Sequence, residues 1–341
     1  MNAIPWLLEP NNPSVRYLAL RHLLELPEDD ADVQTTRSAI PGSPIAAHIF
    51  ARQAPGGYWG DPTSPYLPKY KSTYWTLILL GHLGLNYEDQ RVQRAVEYIF
   101  QFQQPEGGFA EYGEEGARRE HSYVANRKRA RGQEPPNEKT FVADLVHQMT
   151  LSCLTGNMVA TLLRLGYNDD SRLWQAADWL VSIQHSDGGW LCPYWKAHIH
   201  DKHSCFHGTI CALEGLAEIP PHRRSPQVLA ALARGSEFLL MHRLYRSDHH
   251  NWQVINPRWL ELAFPWFGGY SLLRGLWVLT KLEVSDKRMD DALTILRKKR
   301  RSDGRWMLER APNPTHAILE KKGQPSKWVT LKALEVLQST W

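Results

Sequence analysis

The segment Gln184-His-Ser-Asp-Gly-Gly-Trp190 joins two helical patterns through a polar turn that ends on a large aromatic ring. Three further segments have the same construction: Gln53-Ala-Pro-Gly-Gly-Tyr-Trp59, Gln103-Gln-Pro-Glu-Gly-Gly-Phe109 and Lys299-Arg-Arg-Ser-Asp-Gly-Arg-Trp306. A helix-turn-helix unit that recurs in this way cannot bury its apolar face alone, so the units must stack. What the chain does then depends on what a ring of stacked helix pairs encloses.

Working outward from the turns, the rest of the chain reads as helix. The stretch 13–26 carries apolar residues at Val15, Leu18, Leu20, Leu23 and Leu24 with Pro13 at its start, an amphipathic pattern. Comparable patterns cover 44–53, 72–85, 90–104, 150–165, 171–184, 203–219, 226–243, 266–282, 287–300 and 326–339. Segments that precede a turn are richer in charge and suit an outer ring, whereas those that follow it carry more Leu, Gly and small residues and suit an inner ring. With 13–26 added to the inner set, the expectation is an all-α, (α/α)6-type toroid with six inner and five outer helices, one domain spanning residues 1–341. The fourth pair lacks a Gly-Gly turn, and Asp248-His-His-Asn-Trp252 stands where it is due.

Composition narrows the class. Forty Lys and Arg against 36 Asp and Glu give a formal charge of +4, and the basic clusters at 118–131 and 297–301 are local and carry no recognised nucleic-acid motif. The first residues lack a basic region followed by an apolar run, and no apolar stretch reaches the ~18 residues that a membrane span needs. The expectation is a soluble, cytoplasmic protein. Four cysteines in 341 residues are too few for a disulfide scaffold and read instead as core residues, metal ligands or reactive thiols.

The helix, Gln-x-x-(Asp/Glu)-Gly-Gly-aromatic turn and following helix resemble the repeat of the squalene cyclase and protein prenyltransferase superfamily. That resemblance implies a ring of helix pairs with a central cavity and, for the catalytic members, isoprenoid substrates. Two signatures of the superfamily's cyclases are missing. Alkene protonation uses an Asp-x-Asp-Asp cluster in which neighbouring carboxylates keep one acid protonated, and the chain has none; its Asp pairs, at 29–30, 169–170 and 290–291, precede or open outer helices, where acidic residues favour the dipole. The Asp-Asp-x-x-Asp pattern for magnesium is missing as well.

Protein prenyltransferases hold zinc with an Asp and a nearby Cys at the start of one inner helix and a His from the next. Here Cys205 resembles that Cys and Asp201 stands near it, but three residues rather than one separate them, and the next inner segment, Phe264-Pro-Trp-Phe-Gly-Gly-Tyr270, offers no His. Soft ligands nevertheless gather at the inner-helix starts: Cys153, Cys192 and Cys205, with His203 and His207. If neighbouring helices pack about 10 Å apart, three Cys and one His would form a closed, structural zinc site, and an open position would make the ion catalytic. Ordinary buried cysteines beside hydrogen-bonded histidines are the competing reading.

Aromatic residues recur at the same level. Tyr74, Trp75, Trp195, Trp266, Phe267, Tyr270 and Trp328, with Asn157, are the candidate lining of a pocket for an isoprenoid or another apolar molecule, their π faces suited to positive charge. Residues 110–149 interrupt the repeat as a long polar, basic insertion, expected to be a lid loop over the cavity. Three functions follow in order: a cyclase- or prenyltransferase-like protein with an aromatic cavity, a non-catalytic binding toroid pinned by a structural metal, and a polysaccharide lyase-like enzyme.

Overall fold

The computed structural model describes residues 3–191, 203–311 and 315–338. Among these the secondary structure is helical, with isolated bridges and no strands. Six helices form the inner ring: Pro13–His22, Thr73–Leu83, Ser152–Arg164, Phe206–Ala217, Leu272–Lys281 and Lys327–Gln338. From Thr73–Leu83 to Lys327–Gln338 each packs on the next, and Lys327–Gln338 packs on Pro13–His22. Lys327 Nζ donates to Glu9 and Asn11 (both 2.8 Å) where the chain's two ends meet.

Outside the ring lie Pro44–Phe50, Gln90–Phe100, Ser171–Ser182, Pro226–Met241 and Asp290–Lys298. An unanticipated helix, Ala31–Ala39, packs on Pro13–His22 and gives the first inner helix its own outer partner. The expected division of character holds. Every residue of Thr73–Leu83 is buried, as a helix apolar on all sides requires, whereas Gln90–Phe100 buries one face.

The Gly/aromatic turns hold the rings together, and each part of the motif has its own task. In the first three turns the Gln amide donates twice, once to a glycine carbonyl of its own turn and once to the next outer helix: Gln53 to Gly57 and Arg91, Gln103 to Gly107 and Arg172, Gln184 to Gly188 and Ala231, at 2.7–2.9 Å. The indoles of Trp59, Trp190 and Trp306 donate to Ile49, Leu180 and Leu296 in the preceding helix at 2.8–2.9 Å. Gly107 needs its positive φ of 111° and its missing side chain, because a Cβ there would lie 2.3 Å from the Gln175 carbonyl oxygen. A fourth component went unread in the sequence. The backbone N–H of each turn's final aromatic residue donates to a threonine of the following inner helix, namely Thr73, Thr155, Thr209 and Thr330.

Three expectations are corrected. Trp252 does not replace the missing turn: it is 40% exposed and sits over Arg243 at 4.4 Å. Tyr270 instead reaches from the fully buried side and donates to Leu244 O (2.6 Å) just beyond the fourth outer helix. The inner helix expected from 266 begins only at Leu272, and the irregular segment before it turns into the ring, where the Trp266 carbonyl meets His82 (3.3 Å). The insertion at 110–149 is no loop but two helices, Glu114–Arg129 and Glu138–Gln148, packed on each other. Its root leans on the 60–72 connection through Gly116 against Thr63 and an Arg119–Asp61 ion pair of 3.1 Å.

The two rims of the ring differ. Where inner helices end, the connections to the next outer helix are short; where they begin, the connections at 60–72, 110–151, 242–271 and 307–326 are long.

Candidate ligand cavity at the start of the inner helices

The long-loop rim opens into a cavity of about 430 Å³. One wall is aromatic. Trp75, in the first turn of Thr73–Leu83, is fixed by its indole N–H to Tyr66 O (2.8 Å), and the rings of Tyr66 and Tyr70 stand 4.9 and 5.2 Å from it. Phe267 backs this wall, 5.3 Å from Tyr70 and 5.8 Å from Trp75. Tyr70 holds φ at +68°, a left-handed conformation that costs a non-glycine residue about 1–2 kcal/mol. Strain of that size sits where the tyrosine ring is turned toward the cavity wall.

Polar groups face this wall. Lys69 Nζ lies 5.7, 5.8 and 5.6 Å from the ring centres of Tyr66, Tyr70 and Trp75, within cation–π range of all three. Cys153 and Asn157 come from Ser152–Arg164, one turn apart on one face. His207 lines the cavity from Phe206–Ala217, with Nδ1 2.8 Å from Gly268 O. Gly268 and Gly269 complete the lining, and a Cβ built on either would meet nothing within 4 Å. Their missing side chains leave the space open.

Beneath the cavity the ring is filled by its own chain and by buried charge. Arg274, 1% exposed, donates to Glu214 (2.6 Å), to Asn157 Oδ1 (3.1 Å) and to the carbonyls of Phe267 (2.9 Å) and Gly269 (3.1 Å). It therefore fixes two components of the cavity lining. Arg274 and Arg164 hold the buried Glu214 carboxyl down to about 2 against the cost of burial. His82 is driven the other way, to about 3, by burial and then by Arg164, so it is neutral.

Of the residues expected to line a pocket, Trp75 and Asn157 do so and Phe267 supports the wall. The others, where described, pack elsewhere. Tyr74 donates to Ala110 O (3.0 Å), Trp266 donates to Ala263 O (2.8 Å) and Tyr270 bonds Leu244 as above, while Trp328 stacks on Phe264 at 4.5 Å and 8°. Trp195 lies outside the described residues. Lys69, Tyr66 and Tyr70 were missed; the only signal was their position between a turn and its inner helix.

The candidate metal ligands divide between two places. Cys153 belongs to the cavity above, whereas Cys205 and His203 line a second, histidine-rich cleft of about 700 Å³ beside it, and His207 touches both. Cys205 Sγ caps its helix by accepting from Gly208 N (3.1 Å). Among the described residues no three His, Cys, Asp or Glu side chains are grouped closely enough to hold a metal ion, and Cys192 and Asp201 lie outside them. No helix among the described residues is long and apolar enough to cross a membrane.

No family model matches the chain, and no curated protein matches it significantly. Solved structures that resemble it include a protein from Actinoplanes, with 15% identity, 96% of this chain and 89% of that chain covered, and a TM-score of 0.45. Type II terpene cyclase MstE from Scytonema, in its apo form, gives 16%, 96%, 87% and 0.46. A variant of that enzyme in complex with geranylgeranyl dihydroxybenzoate gives 17%, 98%, 97% and 0.45. Likenesses this distant carry nothing about activity; the α/α ring rests on the helix packing described above.

Proposed function

We propose that the protein binds a compact, largely apolar molecule of the isoprenoid class at the aromatic mouth of the ring. One observation carries this reading: about 430 Å³ of space bounded by Tyr66, Tyr70, Trp75 and Leu154 and kept open by Gly268 and Gly269. That volume falls within the roughly 300–1,000 Å³ typical of small-molecule sites. Lys69 at the aromatic wall adds one cation, which favours a ligand with an anionic end.

Among the described residues the lining offers two phenols, a thiol, an imidazole, an amide and an ammonium group, and no carboxylate. Binding is therefore the primary proposal, and no reaction step is derived. Zinc remains a separate proposal that rests on the residue types at Cys153, Cys192, Cys205, His203, His207 and Asp201. Elemental analysis of the purified protein tests it, and a preparation without zinc removes it.

The binding test is quenching of tryptophan fluorescence by geranylgeraniol and by geranylgeranyl diphosphate. Saturable quenching by both is expected in the wild type. Gly268→Phe should abolish it while leaving the melting temperature unchanged, and Lys69→Ala should weaken the diphosphate only. Absence of saturable quenching in the wild type, or full binding by Gly268→Phe, would overturn the reading.

A further inference from the structure

The opposite rim of the ring, where inner helices end, holds a second chamber of about 220 Å³. Its centre is the Trp277 ring, around which three cations crowd: Lys332 Nζ at 4.4 Å, Lys281 Nζ at 5.3 Å and the Arg164 guanidinium at 5.8 Å. All four residues line the chamber. Arg21 and Arg37 line it from the first inner helix and the helix after it.

The carboxylates here are too few for the cations. Glu218 accepts from both Arg164 (2.7 Å) and Lys281 (2.5 Å), Glu214 from both Arg164 and Arg274, and Glu28 from both Arg21 (2.8 Å) and Arg37. Glu335 serves Lys332 (3.0 Å) and His22 (3.0 Å). Five Lys and Arg side chains of the lining thus share four carboxylates, one of which, Glu214, is also held by Arg274 from beneath the other cavity. The helix ends add partial negative charge here. Their last carbonyls, as at Gly81 and Thr161, accept from the cap amides of Gly84 and Leu165, while Arg21 donates to Leu26 O just beyond its own helix. Burial is the main cause that lowers the Lys332 pKa; Glu335 opposes it, and Arg164 and Lys281 add to it.

We propose that this chamber is a binding site for a compact, multiply charged phosphate group, such as inorganic phosphate, pyrophosphate or the phosphate end of a small soluble molecule. Its small volume and polar lining suit such a group and not a bulky apolar ligand. The anion would neutralise the cations around Trp277. Because Arg21 comes from the first inner helix and Lys332 from the last, it would also bridge the seam where the ring closes. Occupancy should therefore raise the stability of the whole fold, as any ligand of the native state does.

The test is calorimetric titration with pyrophosphate and with inorganic phosphate at constant ionic strength, alongside melting curves with chloride as control. Saturable binding and a rise in melting temperature are expected. Lys281→Gln, at the partly exposed edge, should retain the fold and lose about tenfold in affinity, the equivalent of one ionic contact. Lys332→Met should lose more if it folds. Absence of saturable binding, or equal binding by wild type and Lys281→Gln, would mean an adventitious ion only and would overturn the proposal. Binding only to vesicles that contain phosphatidic acid would overturn it in favour of a lipid headgroup. Gly268→Phe, which fills the other cavity, should bind pyrophosphate as the wild type does, so the two sites fail or succeed separately.

Discussion

Replacing Arg274 with Met tests whether the buried charge beneath the cavity organises the ring. Methionine has a similar length and no donors, so the change leaves one Glu214 oxygen, the Phe267 and Gly269 carbonyls and Asn157 Oδ1 without their guanidinium partner. Glu214 is held at about 2 against an ordinary 4.5, and at ~1.4 kcal/mol per unit that alone corresponds to about 3 kcal/mol. Breaking a buried ion pair by removing one partner costs about 3–5 kcal/mol, which agrees. Because Arg164 still faces Glu214, the expected loss is about 3–4 kcal/mol, a large share of the roughly 5–15 kcal/mol that stabilises a folded protein.

The pH dependence has a definite sign. In the wild type the depressed carboxylate contributes stability above its unfolded value near 4.5, and that contribution is lost as pH falls toward about 2. In Arg274→Met the carboxyl titrates higher, so protonation relieves the unpaired charge and the penalty shrinks on going from pH 7 to pH 4.5. Guanidinium unfolding followed by circular dichroism at both pH values measures this, with Glu214→Gln and the double variant completing the cycle. The double variant should lose at least about 1 kcal/mol less than the sum of the singles. An Arg274→Met penalty below about 1 kcal/mol, or one that does not change with pH, would refute the reasoning.

Two further outcomes concern the same interior. His82, held neutral at about 3 against an ordinary 6.5, takes up its proton only on unfolding, so stability should drop by ~1.4 kcal/mol for each unit that pH is lowered across that interval. In His82→Gln the slope between pH 6.5 and 4.5 should decrease by one proton, and equal slopes in the two proteins would show that His82 is not the group responsible. Gly156→Ala should destabilise by about 2 kcal/mol: overpacking costs about 1–3 kcal/mol and the gain in helix propensity returns only part of it. The new Cβ would lie 2.3 Å from Cys211 O, a backbone atom no rotamer change can move away, and chemical denaturation that finds Gly156→Ala as stable as wild type would contradict that contact.

The ring was legible in the sequence because its staples are local: the Gln, the glycines and the aromatic residue of each turn act within seven residues or on the adjoining helix. The threonines that receive the turn amides were not, because a lone Thr in a helix has no meaning until the turn it serves is known. Residues 266–271 look like helix because the segment is mostly apolar, and a chain segment buried inside a ring is apolar in the same way as a buried helix. Arg164, Glu214, Arg274 and Glu335 each look like surface charges in isolation. Only folding brings together partners separated by 50 or more positions. Trp75 and Asn157 were found at the mouth by counting from the turns. Tyr66 and Tyr70 escaped that count because the wall they build belongs to a connection with no periodic pattern.

The unequal rims have a consequence for how such a protein can change. The staples fix each connection at its two ends, the turn residues at one and the inner-helix threonine at the other, and the length of chain between them differs from repeat to repeat. Residues 110–151 show how much that allowance holds: a complete pair of helices is accommodated between Phe109 and Thr155 while the amide of one still reaches the hydroxyl of the other. Specificity can thus be rewritten by lengthening, shortening or exchanging segments on one side of the molecule, with the opposite side acting as an inherited base plate. Segment exchange between distant rings of this kind should be tolerated at these connections and nowhere else along the chain.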